Sequence, residues 1–391
     1  MIRVCHIITR LELGGAQQNT LYTLAHLDRS RFEPTLITGT NGILDSEGRA
    51  SAARSWFIES LDREISITRD PAALLALAGL LRKERPHIVH THSSKAGILG
   101  RWAAVLAGVP HIVHSIHGYG FTPRQTRMAR GALIAVERLT GRLTTSAFIA
   151  VSSANLKLGL DLDLFTPDRV SLIRSGIRLS DFSPRAESPE RAAGSEGGPV
   201  TVGMVACLKQ QKAPLDFIRV AATVVRQAAV PVRFVLAGDG ELRPEVEKLI
   251  REERLGDHVT LAGWRRDIPE LMRGFDLLLH TSHWEGLPRV FPEAMATGLP
   301  IVATHVDGAP EAVREGVTGH LLAPGDIDGL ARRTLELVHD PERRRRMGAE
   351  ARRRTAPWDI DEMVRRQERL YEGLMAGETI RAVALSTQME I

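Results

Sequence analysis

The sequence is poor in aromatic residues, in cysteine and in charge of one sign. Ten Phe, five Trp and three Tyr among 391 residues are too few to indicate aromatic platforms for nucleic-acid bases. Lys and Arg number 51 against 47 Asp and Glu, and a net charge of +4 does not indicate a nucleic-acid partner. Cys5 and Cys207 lie far apart in the chain and have no metal-type spacing. We therefore expect neither a disulfide scaffold nor a zinc site, and a reducing cytoplasm suits the chain.

Long hydrophobic runs are also missing. The longest smooth apolar stretch, Ala72 to Leu81, is about half of the roughly 20 residues that a membrane-spanning helix needs. The N-terminus reaches Glu12 before an apolar run of signal-peptide length develops. These patterns predict a cytoplasmic protein with no membrane span.

Short β-branched runs alternate with longer helical patterns along nearly the whole chain. This alternation predicts an α/β fold with parallel sheets, in which ligands bind at the carboxyl ends of the strands. The predicted strands are Val4–Ile8, Thr35–Thr38, Trp56–Ile58, Ile88–His90, Ile112–Ser115, Phe148–Val151, Val200–Val205, Val232–Ala237, Val259–Leu261, Leu277–His280 and Ile301–Thr304.

A stretch rich in Pro, Gly and Ser interrupts the alternation and predicts a linker between two similar domains. Two such domains facing each other suit a substrate with two parts. The predicted organisation is an N-terminal domain (1–182), a linker (183–199), a second domain (200–356), a C-terminal helix (357–375) that returns to the first domain, and a disordered tail (376–391).

The densest group of polar residues follows the predicted strand Leu277–His280. Glu285 and Glu293 are eight positions apart, and Pro288 and Pro292 favour a helix start between them. Glu285 is then expected in the loop and Glu293 in the first helical turn, beside backbone N–H groups that can bind an anion. The alternative is that both glutamates only complement the helix dipole.

The segment Glu285-Gly-Leu-Pro-x4-Glu293-Ala-Met-Ala-x-Gly-Leu-Pro resembles the Glu-x7-Glu signature of the retaining GT-B glycosyltransferases of glycosyltransferase family 4, which includes bacterial exopolysaccharide and capsule enzymes. The resemblance implies two Rossmann-like domains facing across a cleft, a nucleotide-diphosphate sugar as co-substrate, and no cofactor or metal. It also implies that Glu285 contacts the transferred sugar and Glu293 the nucleotide ribose. The residues that would surround the sugar and diphosphate are Gly286, Leu287, Pro288, Arg289 and Val290.

A second group follows the predicted strand Val200–Val205. By the same resemblance, Lys212 neutralises the donor diphosphate, together with an arginine that many family members have where Cys207 stands. Lys209 could supply the missing charge, although lysine lacks the two-pronged geometry of arginine. The alternative for both lysines is a solvated loop.

In the first domain, the turn that contains Gly15 resembles the glycine loop of the family, near the diphosphate and the acceptor. His117, just past a predicted strand, resembles the family histidine that lies beside the donor sugar and the acceptor. His92 and Lys95 are expected on the acceptor side, with packing of their loop as the alternative.

Two further features lie outside the predicted site. Asp307 stands where the family has a glycine near the donor phosphates, and we expect its carboxylate to face away or to bind a lysine. A predicted helix carries arginines on one side and apolar residues on the other, and a solvated polar face is the simplest interpretation. Docking to an anionic membrane surface is the alternative. The arginines are Arg124, Arg127, Arg130, Arg138 and Arg142, and the apolar residues are Met128, Leu133, Val136, Leu139 and Leu143.

Together these patterns predict a retaining glycosyltransferase with His117, Glu285 and Lys212 as catalytic residues. Its expected partners are a nucleotide sugar and a glycan or lipid-linked acceptor of cell-surface polysaccharide synthesis, on the cytoplasmic side of the plasma membrane, and no nucleic acid. A sugar-nucleotide epimerase on the same scaffold and a non-catalytic glycan-assembly module are the alternatives.

Overall fold

The computed structural model describes residues 1–122, 125–183, 198–378 and 380. The chain divides into two compact units, one formed by Met1–Gly176 with the chain from Ile360 onwards, and one by Ile177–Asp359. Arg124 and most of the predicted linker and tail lie outside the described residues.

The first unit contains a seven-stranded parallel sheet with the strand order β3-β2-β1-β4-β5-β6-β7. Its strands are β1 (Ile2–Ile8), β2 (Phe32–Gly39), β3 (Arg54–Ile58), β4 (Ile88–His92), β5 (His111–Ile116), β6 (Ala147–Ala150) and β7 (Val170–Leu172). The helices between them are α1 (Gly15–His26), α2 (Asp45–Ser51), α3 (Arg69–Glu84), α4 (Ser94–Leu106), α5 (Arg127–Thr144) and α6 (Ser153–Asp161).

The second unit contains a six-stranded parallel sheet with the order β10-β9-β8-β11-β12-β13. Its strands are β8 (Val200–Val205), β9 (Val232–Ala237), β10 (Val259–Gly263), β11 (Leu277–His280), β12 (Ile301–Thr304) and β13 (Gly319–Leu322). Its helices are α7 (Pro214–Gln227), α8 (Arg243–Glu252), α9 (Ile268–Arg273), α10 (Val290–Thr297), α11 (Ala309–Ala312), α12 (Ile327–His339) and α13 (Pro341–Arg352).

The last described helix, α14 (Ile360–Ala376), belongs to the first unit. Its buried residues Met363, Leu370 and Tyr371 pack in one cluster with Val4 and Ile88 of the central strands. Helix α14 thereby brings a buried tyrosine hydroxyl to the sheet of the first unit, and such a hydroxyl needs a hydrogen-bond partner.

The central strands of both sheets are buried along most of their length, as expected for parallel sheets that are covered on two faces, although β1, β4 and β8 are not purely apolar runs. The structure confirms the predicted α/β class with two Rossmann-like parallel sheets, and every predicted strand is present. The short edge strands β7 and β13 were not predicted. Among the described helices, none has the combination of length and hydrophobicity that a bilayer crossing requires.

Candidate functional site

The polar group of the second unit is assembled at the ends of three neighbouring strands. Lys212 closes the 3-10 turn after β8, Glu285 follows β11, and Asp307 follows β12. Since these strands are parallel and adjacent, their carboxyl ends meet at one edge of the sheet. The hydroxyl of Thr281 donates to the carbonyls of Lys212 and Ala213, at 3.2 and 2.9 Å, and so ties the lysine turn to the end of β11.

Glu285 is the centre of this group. Its Oε1 lies 2.5 Å from Lys212 Nζ, 2.6 Å from Ser282 Oγ and 3.1 Å from His280 Nε2. Only 6% of the Glu285 side chain is exposed. Its backbone N–H donates to Asp307 Oδ2 at 2.5 Å, so that the neighbouring loop fixes the glutamate from the main chain as well.

The electrostatics of Glu285 are decided by two opposing effects. Burial raises the pKa of its carboxyl, but the charge of Lys212 and the hydrogen bond from His280 outweigh burial and bring the pKa to about 2. Burial also lowers the pKa of His280, so this imidazole is neutral and donates its single Nε2 proton. Glu285 is therefore an ionised, fully oriented carboxylate at neutral pH and has no proton to give as an acid.

Glu293 lies in the first turn of α10, and Gly286 to Arg289 form the loop before it. Burial raises the pKa of Glu293 to about 7, although Arg289 Nη2 lies 3.7 Å from its carboxylate and opposes this shift. The side chains of Leu287, Pro288 and Val290 are buried, whereas Gly286 and Arg289 are half-buried. The loop is thus held by its apolar side chains, which leaves backbone and glutamate as the groups that can meet a ligand.

The turn after β8 places Lys209 three residues before Lys212, and both lysines are half-buried. Among the described residues no ion pair forms at Lys209, whereas Lys212 is paired with Glu285. Cys207 is a free, half-buried thiol in the same turn. The turn therefore holds one compensated and one uncompensated ammonium group.

The expectation for Asp307 was wrong. Its carboxylate neither faces away from the site nor binds a lysine, because it accepts the backbone N–H of Glu285. Burial raises its pKa. Asp307 also adopts a left-handed φ of 37°, a backbone conformation that glycine, the family residue here, adopts without cost. Its carboxylate thus ties the loop after β12 to the loop that carries Glu285.

In the first unit, Gly15 begins α1 and is half-buried. His117 follows β5 and is also half-buried, whereas His92, at the end of β4, is 3% exposed. His92 Nδ1 lies 3.1 Å from His117 Nε2, so the structure brings these two predicted residues together. Lys95 lies apart from them, since its ammonium is 2.6 Å from Asp70 Oδ1 and donates to the Glu64 carbonyl. These contacts support loop packing as its role.

His117 and His92 belong to a larger group that we call the histidine network. It extends from the interior of β1, β4 and β5 to the carboxyl ends of β4 and β5 and includes Tyr371 of α14. Its six side chains are those of Ser115, His90, Tyr371, His6, His92 and His117. Three of the buried rings, those of His6, His90 and His92, place nitrogen atoms within 4.8 Å of one another, which is close enough to hold a metal ion.

Sequence reasoning missed several of these residues. His280 ends a predicted strand five positions before Glu285, and Ser282 lies three positions before it, which was a usable signal. His6 lies at the same level of the neighbouring strand as His90, with which it is paired in the parallel register of β1 and β4. Tyr371 had no local signal, because it reaches the network from the C-terminal helix.

Comparisons with known proteins agree with this architecture. Residues 14–176 match the family described as Glycosyl transferase 4-like domain, and residues 187–354 match Glycosyl transferases group 1. The chain is 31% identical over 344 residues to the UDP-Gal:alpha-D-GlcNAc-diphosphoundecaprenol alpha-1,3-galactosyltransferase of Escherichia coli, covering 87% of this chain and 88% of the relative. It is 30% identical over 346 residues to the D-inositol 3-phosphate glycosyltransferase of Thermomonospora curvata, covering 78% and 77%.

Solved structures show the same fold at lower sequence identity. Sucrose-phosphate synthase of Thermosynechococcus elongatus is similar with a TM-score of 0.82 at 19% identity, over 97% of this chain and all of that chain. HepE of Anabaena, solved in complex with UDP, has a TM-score of 0.76 at 20% identity, over 96% of this chain and all of that chain. Sequence and fold together place the chain in family 4 of the GT-B glycosyltransferases, and the protein is a glycosyltransferase.

Proposed function

We propose that this enzyme transfers a hexose from a UDP-sugar, with retention of the anomeric configuration, to a lipid-linked sugar diphosphate during the synthesis of a cell-surface polysaccharide. The observation that carries the proposal is the oriented Lys212–Glu285 pair at the strand ends of the second unit. The donor and acceptor classes are those in the name of the Escherichia coli relative. The epimerase and the non-catalytic module are not favoured, because the relatives are named as transferases.

The charged group suits the breaking of a sugar–diphosphate bond. Negative charge grows on the leaving diphosphate, and Lys212, Lys209 and the backbone N–H groups at the start of α10 can stabilise it. Glu285 then accepts hydrogen bonds from hydroxyls of the transferred sugar, and Glu293 from those of the ribose. With this positive charge in place, we propose that the reaction needs no metal and no cofactor.

The contacts of Glu285 also favour attack from the same face of the sugar. Glu285 is a weak nucleophile, because its pKa is about 2 and its Oε1 receives hydrogen bonds from Lys212, Ser282 and His280, which leaves Oε2 to accept from the sugar hydroxyls. We therefore assign the acceptor hydroxyl as the attacking group and the leaving phosphate as its base. His117 orients that hydroxyl, and His92 holds the His117 ring through the contact between His92 Nδ1 and His117 Nε2.

A lipid-linked acceptor requires the enzyme to reach a membrane, and α5 has a suitable surface. The apolar side of this helix is largely exposed, and of its five predicted residues only Leu133 packs against the core. The exposed ones are Met128 (88%), Val136 (44%), Leu139 (56%) and Leu143 (62%). Arg127 and Arg142 are exposed on the same helix. An apolar stripe beside cationic side chains binds anionic bilayers, so we place the enzyme at the cytoplasmic face of the plasma membrane.

The transfer reaction is tested with UDP-galactose and a short-chain lipid that carries GlcNAc-diphosphate. We expect release of UDP only when the acceptor is present, and an α-linked disaccharide in the NMR spectrum of the product. The Glu285→Gln variant should lower turnover by at least 100-fold, whereas Glu252→Gln, at an exposed position of α8, should not change it. A β-linked product would contradict retention, and conversion of the donor sugar without acceptor would indicate an epimerase.

Membrane docking is tested separately by flotation with vesicles of phosphatidylglycerol and phosphatidylcholine. We expect the protein to float with anionic vesicles, and Leu139→Ser with Leu143→Ser to abolish flotation without lowering the melting temperature. The matched control is Val230→Ser, an exposed apolar residue of the second unit. Flotation that is unchanged by the α5 substitutions would exclude this surface.

A further inference from the structure

The histidine network is a continuous series of hydrogen bonds inside the first unit. It runs in order through Ser115, His90, Tyr371, His6, His92 and His117, with successive distances of 2.8, 2.6, 3.3, 3.0 and 3.1 Å. All members except His117 are buried, and His117 is half-buried. The series therefore begins in the core and ends at the residue expected to meet substrate.

The imidazoles of the network are neutral. Burial lowers the pKa of His6 to about 3 and that of His117 to about 4, and it lowers the pKa values of His90 and His92 well below the ordinary range. The neighbouring histidines would repel any added positive charge. Each ring consequently has one N–H donor and one bare nitrogen acceptor.

With one N–H per ring, the hydrogen bonds along the series can run in only one donor-to-acceptor direction at a time. Every contact between two rings needs one donor and one acceptor, so the choice made at one ring fixes the next. Tyr371 has a single hydroxyl proton and can donate it to His90, to His6 or to Gln367, whose Oε1 lies 3.4 Å away. Through the contacts of the series, the placement of that one proton determines which nitrogen of His117 is bare.

We infer the position of the Tyr371 proton from two distances. Bonds donated by O–H groups are shorter than bonds donated by N–H groups. Tyr371 Oη lies 2.6 Å from His90 Nδ1 but 3.3 Å from His6 Nε2. Tyr371 therefore donates to His90 and accepts from the Nε2–H of His6.

The remaining rings follow from this assignment. His6 Nδ1 is an acceptor and receives the Nε2–H of His92 at 3.0 Å. His92 Nδ1 in turn receives the Nε2–H of His117 at 3.1 Å. At the other end, the Nε2–H of His90 donates to Ser115 Oγ.

We propose that Tyr371, His6 and His92 are positioning residues that fix His117 in its Nε2–H tautomer, so that its Nδ1 is a hydrogen-bond acceptor for a substrate hydroxyl. All four imidazoles of the network then carry their proton on Nε2. The tautomer assignment depends only on the contacts described above, whereas the hydroxyl partner rests on the proposed function. The C-terminal helix thereby has a role in the active site, because it carries the tyrosine that sets the direction.

A metal ion at His6, His90 and His92 is the competing use of the same residues. Binding would require at least one nitrogen of each ring to exchange its present partner for the metal. The six side chains already use both nitrogens of these three rings. The geometry therefore favours the hydrogen-bonded network, and the experiment below separates the two.

The test is the tautomer of each ring in the intact protein labelled with 15N in its histidines. Two-bond 15N–1H correlation spectra at pH 7.5 should show the Nε2–H pattern for His6, His90, His92 and His117, each assigned by a single substitution. Nδ1–H or mixed tautomers in the wild-type protein would overturn the proposal. So would zinc that copurifies in a 1:1 ratio and is lost from His92→Gln.

Tyr371→Phe removes the group that sets the direction. We expect His117 to become a mixture of tautomers, and kcat to fall by about 10-fold with little change in the KM for the nucleotide sugar. Tyr22→Phe is the matched control. The Tyr22 hydroxyl donates at 2.6 Å to Asp361 of α14, the helix that carries Tyr371, but Tyr22 lies outside the network. An unchanged His117 spectrum in Tyr371→Phe would overturn the role of Tyr371. Because the spectra need no substrate, they remain decisive even if no transfer is found.

Discussion

The polar groups at the strand ends are neutral in the first unit and charged in the second. In the histidine network, burial keeps every imidazole neutral, and each ring is held by matching its one N–H donor and one nitrogen acceptor to its neighbours. Around Glu285, burial is outweighed by Lys212, and the carboxylate remains ionised. Similar sheets can thus hold buried polar groups in two ways, by matching donors to acceptors or by pairing opposite charges.

The difference suits the two substrates that a glycosyltransferase brings together. A diphosphate is anionic, and the second unit offers lysines and a helix start. The attacking hydroxyl of the acceptor is neutral, and the first unit offers a neutral imidazole. Substitutions of single charged residues test this difference between the two units, from the largest expected effect to the smallest.

Removal of the lysine charge is expected to have the largest effect on stability. Lys212→Met leaves the buried Glu285 carboxylate without its ionic partner and should lower the free energy of unfolding of the second unit by about 3 kcal/mol. Lys212→Met with Glu285→Gln should recover most of this loss, because no uncompensated charge remains. Urea denaturation provides the measurement, with Lys248→Met, of an exposed ion pair, as the control. If Lys212→Met were as stable as the wild type, the Lys212–Glu285 pair would be solvated and the prediction would be wrong.

Glu293 should make stability depend on pH in the second unit. Its folded pKa is about 7 against an ordinary value of 4.5, so the native state binds more protons than the unfolded state between these values. The free energy of unfolding should therefore fall as the pH rises from about 4.5 to about 7, by about 3 kcal/mol. In Glu293→Gln this part of the dependence should disappear. Equal pH profiles for both proteins in urea denaturation would contradict the assignment.

Lys95 should have the smallest effect, because the first unit uses its charge only to close a loop. In Lys95→Met we expect less than a twofold change in the KM for the acceptor and a loss of about 1 kcal/mol from the unpaired Asp70. Asp70→Asn combined with Lys95→Met should restore stability. A large rise in the acceptor KM that the double variant retains would return Lys95 to the acceptor site.

Much of the fold can be predicted from local sequence patterns. Strand β8 was predicted with its observed limits, Val200–Val205, because a β-branched run followed the end of a Pro- and Gly-rich stretch. The short strands β7 and β13 were missed, since three or four residues at a sheet edge give no period. Helix α5 was predicted as a helix, but the exposure of its apolar side depends on which elements pack against it, and local sequence does not contain that information.

The residues of the candidate site also fall into two groups, those that local sequence reveals and those that only the packing of distant segments reveals. Glu285 and Glu293 were found because their spacing and the flanking prolines lie within one short segment. Asp307 was misjudged because its hydrogen bond reaches a loop 22 positions away. Tyr371 meets His90 across 281 positions, and only the packing of α14 on the sheet reveals that contact.

The claim on which the account depends is that Lys212 binds the donor diphosphate. Calorimetric titration of UDP into the full chain, with EDTA present, tests it directly. We predict binding to the wild type and a loss of affinity of roughly 10- to 100-fold in Lys212→Met with Glu285→Gln, a double change that leaves the net charge unaltered. Undiminished affinity in that variant, or no UDP binding by the wild type, would contradict the account.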